Sequence, residues 1–133
     1  MLADAATVAD GKLFIHGGNW NAIIASQIPA VHPTLALVLV FKLDWHEANE
    51  DLPLVIELVT EDGKPAGFRA EMNLRVAPTP FTKKGTDLYQ PSTPTINGLS
   101  FDAYGAYSFQ ITLADKLLAS IPLNVVSPET ITA

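Results

Sequence analysis

The sequence predicts an all-β fold, an antiparallel β-sandwich of seven to nine strands, and three observations lead there. Apolar residues recur at every second position over several segments, which is the period of a half-buried strand. Asp-Gly pairs and other turn signals separate those segments at short intervals. Pro53 and Pro122 stand where strand ends or sheet edges are expected, because proline cannot donate to a ladder. The length of 133 residues fits one domain spanning residues 1–133.

Taken in chain order, residues 2–8 and 13–16 form two strands around the Asp10-Gly11 turn, whose residues supply the positive φ of a tight hairpin. Gly17-Gly18-Asn19-Trp20 follows as a strand bend or bulge. It lacks the lysine and hydroxyl of a phosphate-binding loop, and no helical pattern comes after it. Residues 35–41 (L-A-L-V-L-V-F) are apolar on both faces. A strand of that kind needs a cover on its outer side. The cover is either internal, from the 44–51 turn or a long loop, or it is a partner.

Residues 44–51 (D-W-H-E-A-N-E-D) predict one short helical turn, with Asp44 as N-cap and Glu47 at the capping-box position. Leu54, Ile56 and Leu58 alternate with Val55, Glu57 and Val59, and the Asp62-Gly63 turn leads to a strand in which Phe68, Ala70, Met72, Leu74 and Val76 point one way. Residues 78–94, rich in Pro, Thr, Ser and Gly, predict one long loop carrying Phe81 and Tyr89. A final hairpin follows. Tyr107, Phe109, Ile111 and Leu113 make one row, and Leu117, Ala119, Ile121, Leu123 and Val125 make the next, joined by Ala114-Asp115-Lys116.

Composition narrows the function. With no cysteine, disulfide frameworks and thiolate metal sites are excluded. A formal net charge of −6 with one basic pair, Lys83-Lys84, argues against nucleic acid. The longest apolar run is far short of the roughly 20 residues of a membrane helix, so no membrane partner is expected. The start Met1-Leu2-Ala3-Asp4 lacks a cationic leader and an apolar core segment, which implies a cytoplasmic or virion location. For a mass of 14.3 kDa, the folded surface of a compact monomer is about 6,800 Å². The chain is 48% hydrophobic and only 17% charged. Small soluble monomers carry nearer a quarter charged residues, so more than one apolar face is expected.

Catalytic chemistry finds no foothold. His16, His32 and His46 show no metal-ligand spacing, and Asp44, His46 and Glu47 crowd one turn without converging. The carboxylates fall on solvent faces and turns, where solubility explains them, and none is paired as glycosidase chemistry needs. There is no G-x-S-x-G nucleophile elbow. No enzyme activity, cofactor or metal is expected. Trp20, flanked by Asn19 and Asn21, carries the alternative: an indole for stacking on a sugar or small ligand, with amides for its hydroxyls.

Two resemblances add to this reading. Gly105-Ala106-Tyr107-Ser108-Phe109-Gln110-Ile111 with Ile121-Pro122-Leu123-Asn124-Val125 resembles the last hairpin of immunoglobulin-like sandwiches. That resemblance implies a tyrosine, here Tyr107, whose hydroxyl braces a corner. The stretch from Leu2-Ala3-Asp4-Ala5-Ala6 through Asp10-Gly11-Lys12-Leu13 to Gly17-Gly18-Asn19-Trp20, with Trp45, Glu47, Ala48 and Asn49 and the Gly105–Phe109 stretch, is similar over most of the chain to small uncharacterised proteins of actinobacteria and their phages. It implies no activity, but it does imply a virion accessory or capsid decoration role. The expectation is therefore a non-enzymatic structural or interaction module in a homo-oligomer or larger assembly. Val38, Val40, Val55 and Val59 are its expected outer-face contacts, with Phe81 and Tyr89 in the loop.

Overall fold

The computed structural model describes residues 1–130, and they form an all-β sandwich. It has eleven strands rather than seven to nine: β1 (Leu2–Ala9), β2 (Lys12–Trp20), β3 (Ala22–Ile24), β4 (Ala30–Leu37), β5 (Leu39–Leu43), β6 (Leu52–Thr60), β7 (Pro65–Leu74), β8 (Leu88–Ser92), β9 (Thr95–Phe101), β10 (Gly105–Leu113) and β11 (Lys116–Val126). One layer has the order β2-β1-β4-β9 and continues into a β5–β8 ribbon; the other has the order β3-β11-β10-β6-β7. Every pairing is antiparallel except that of β3 with β11, which is parallel and corrects the wholly antiparallel expectation. Among the described residues no helix is long and apolar enough to cross a membrane.

The core lies between the layers and follows the alternation. Leu35, Leu37 and Phe101 from one layer meet Leu54, Ile56, Leu58, Phe109 and Ile111 from the other, and Phe41, Leu43 and Leu88 extend the cluster under the ribbon. On β11 the expected row holds only at its far end. Leu123 and Val125 are buried, whereas Leu117 is exposed, because a register shift between Ile111 and Thr112 sets it opposite Thr112, which alternates outward between the buried Ile111 and Leu113.

The apolar run 35–41 is two strands, not one. β4 pairs with β9 as far as Ala36 opposite Thr95, and β5 resumes with β8 at Leu39 opposite Ser92. Pro94 stands at the break, where it accepts from the Leu37 N–H at 2.9 Å but has no N–H to return. The β8 strand also corrects the expected 78–94 loop, which shrinks to residues 75–87. The predicted short turn is present as a 3-10 turn at Trp45–Glu47, and the Glu47 carboxylate accepts the Asp44 N–H at 2.9 Å, as one arm of a capping box does. Tyr107 also behaves as its resemblance implies: its hydroxyl donates to the Ala103 carbonyl at 2.7 Å.

Candidate functional site

The ribbon places Val40 and Tyr89 together. On β5, Leu39, Phe41 and Leu43 turn inward, so Val40 and Lys42 turn outward. Val40 opposes Pro91 and Lys42 opposes Tyr89, which puts Val40 and Tyr89 diagonally across one outward face. Val40 is 55% exposed and Tyr89 64%. The Lys42 ammonium sits 3.4 Å from the Asp87 carboxylate, whose hydrogen bond raises the lysine pKa. Phe81 is 97% exposed at the tip of the 75–87 loop. Thr79 and Thr82 hold that tip: Thr82 N–H donates to the Thr79 carbonyl at 3.0 Å, and Thr79 N–H to Thr82 Oγ1 at 2.9 Å.

The other expected contacts do not join them. Val38 is buried at 7%, in a small second cluster with Ala3, Ala6 and Ala36, and Leu13 packs on it. The cover over the doubly apolar strand is therefore the N-terminal hairpin, and neither the 44–51 turn nor the long loop. Val59 is also buried, but outside the inter-layer core: β6 pairs with β10 without a break from Leu54 to Thr60, so Val59 stays on the face opposite Leu58. Val55 is half-buried on the opposite layer, so it cannot share a face with Val40.

A second apolar surface was not among the expected contacts. The β1–β2 hairpin pairs with β4 only through Leu2 and Ala3, and beyond that it projects. Ala6, Val8, Leu13 and Ile15 share one of its faces, while Thr7 and Phe14 share the other. Phe14 is 54% exposed, and Val8 and Ile15 are also exposed. The signal in the sequence was Leu13-Phe14-Ile15, three consecutive apolar residues that must straddle both faces, as in 35–41.

Trp20 is half-buried against the core, with its ring centroid 5.7 Å from that of His32. Its Nε1 is buried and has no hydrogen-bond partner. A shallow hollow of about 320 Å³ beside it is lined by Asp4, Trp20, Ala22, Ile23, Ile24 and His32. Asn19 and Asn21 are not part of that lining. Asn19 sits at φ 66° at the end of the hairpin, and the Asn21 carbonyl accepts the Asn124 N–H at 2.7 Å. The larger hollow, about 600 Å³, opens between β7 and β9 and includes Phe68, Leu99 and Tyr107, with Asp102 as its one carboxylate. Among the described residues no three of His, Asp and Glu are grouped to hold a metal.

One family model matches the chain, over residues 1–126, and it describes a family of unknown function (DUF6941). No curated protein and no solved structure matches.

Proposed function

Since the chain belongs to the DUF6941 family, which assigns no activity, we propose a role read from its surface: a non-enzymatic structural module that docks apolar surface within a homo-oligomer or larger assembly. One observation carries this. The accessible surface is 8229 Å², about 1,400 Å² more than the roughly 6,800 Å² of a compact monomer of this mass. The surplus matches what one partner contributes to a large homodimer interface, where the total is about 2,000 Å² or more. Exposed apolar side chains on the ribbon and the projecting hairpin make up part of it.

The most concrete form is a phage virion accessory protein that decorates a capsid, located in the cytoplasm until assembly. The likeness of residues 2–20 to actinobacterial and phage proteins supports that form, and the Tyr107–Ala103 brace supports kinship with immunoglobulin-like sandwiches. Val40, Tyr89 and Phe81 are its docking residues on the ribbon side. The test is the unfolding midpoint at two protein concentrations a hundredfold apart. Association of folded chains makes the midpoint rise with concentration. A midpoint that does not move contradicts the proposal.

A second reading places a small neutral ligand, such as a saccharide, beside Trp20. The unpartnered Nε1–H and the adjoining hollow favour it, since a buried indole normally finds an acceptor. Titration with a saccharide panel, followed by indole fluorescence, decides it. A saturable shift supports the ligand, and no shift with any member removes it.

A further inference from the structure

The geometry points to the outer edge of β2 as the place where two copies of this chain join, by antiparallel pairing of β2 with its own symmetry mate. This rests on the proposal of self-association and names the element that performs it. Among the described residues β2 ends its sheet, so one side of its backbone has no strand partner. An unpaired edge is a template for another strand unless something protects it.

Most other open edges are short or protected, and in the β5–β8 ribbon the five-residue strands carry Lys42 and Pro91. The β7 edge begins with Pro65 and carries Arg69, which is ion-paired to Glu57 at 3.4 Å and to Glu71 at 2.8 Å. The β3 strand has three residues, and β9 is interrupted by Gly98 at φ +68°. The open part of β11 contains Pro122. By contrast, β2 has nine residues, no proline, and Lys12 as its one Lys, Arg, Asp or Glu.

Only part of β2 is straight enough to pair. The register with β1 is regular from Lys12 to His16, and then Gly17 at φ +59° and Asn19 at φ +66° twist the edge away. The usable segment is K-L-F-I-H, centred on Phe14. A two-fold axis at Phe14 sets Phe14 against Phe14 of the second copy and Leu13 against Ile15 of the second copy. Such a contact is isologous and closes at two subunits. It brings Phe14 beside its mate on one face of the hairpin, and Leu13 beside Ile15 of the second copy on the other.

The chain has no cysteine, so a single introduced thiol reports one position cleanly. Directly opposed residues of an antiparallel pair have Cα atoms about 4.5–5.5 Å apart, within disulfide range. The experiment measures disulfide-linked dimer formation for Phe14→Cys, Leu117→Cys and Tyr89→Cys under mild oxidation, and the dissociation constant of Phe14→Lys by light scattering. Pairing at β2 predicts that Phe14→Cys links at least about tenfold faster than the other two, and that Phe14→Lys weakens association on the order of 100-fold. Association with no advantage for Phe14→Cys, or with Leu117→Cys or Tyr89→Cys ahead, overturns the β2 edge and leaves the module reading standing. A native chain that stays monomeric at every concentration overturns both. Both changes fall on an exposed side chain, and circular dichroism confirms that the fold survives.

Discussion

Val38 and Met1 are hydrogen-bonded in both directions: the Val38 N–H donates to the Met1 carbonyl at 2.8 Å, and the Met1 amino group donates to the Val38 carbonyl at 3.0 Å. Past the last β4–β9 pair, the β1–β4 ladder thus continues by one step, with Met1 opposite Val38. The same contact seats Ala3 over Ala36 and closes the second apolar cluster. Burial pulls the Met1 amino group below its usual pKa.

The Val38–Met1 contact separates two valines that are equivalent by sequence. Val38→Lys puts a charge into a closed apolar cluster and is expected to cost at least about 2 kcal/mol of unfolding free energy. Val40→Lys, on the open ribbon face, is expected to stay within about 0.5 kcal/mol of the native chain. Urea unfolding of the two variants checks the pair.

Tyr107→Phe removes the hydroxyl that braces the Ala103 carbonyl and keeps the ring, which packs at 5.1 Å from Phe101. The expected loss is about 1 kcal/mol. Because neither residue belongs to the ribbon or to the N-terminal hairpin, thermal stability is expected to fall while oligomeric state at low temperature is unchanged.

The β10–β11 turn is strained. Ala114 and Asp115 stand at φ 49° and 65°, a conformation that alanine rarely takes. Asn-Gly is the preferred pair for such a turn. Replacing Ala114 with Asn and Asp115 with Gly is expected to raise stability by about 0.5–1 kcal/mol, a gain that calorimetry of the double variant measures.

A side chain at position 17 meets two obstacles at once. Gly17 has φ +59°, and a Cβ there would run into the Asp4 carboxylate. Gly17→Ala is expected to cost about 1–2 kcal/mol. Adding Asp4→Ala should recover only the steric part, and the residue of the loss, measured by denaturant titration, is the backbone share.

Much of the fold was legible because it depends on neighbours in sequence. Alternation placed Phe109, Ile111, Leu54 and Ile56 in the core, and the Asp10-Gly11 and Asp62-Gly63 turns separated the strands they join. What stayed hidden depends on distant chain. The β8 segment looks like loop in sequence because Pro91 and its polar neighbours have low strand propensity, and its pairing with β5 supplies the order. Val38 was read as outward because nothing nearby in sequence shows that Met1 and Ala3 return to cover it. Val59 keeps the outward parity that alternation assigns to it, and its burial comes from tertiary packing that its sequence neighbours do not show. Of the expected contacts, Val40, Tyr89 and Phe81 lie on the surface. Phe14 and Ile15 were passed over because the second face of β2 was left without a cover to look for.

The surplus of exposed surface is tested most directly by the solution mass of the native chain, measured by light scattering over a hundredfold range of concentration. Self-association through exposed apolar surface gives a mass that reaches at least twice 14.3 kDa and falls toward the monomer on dilution. A mass that stays at the monomer value across the whole range contradicts it.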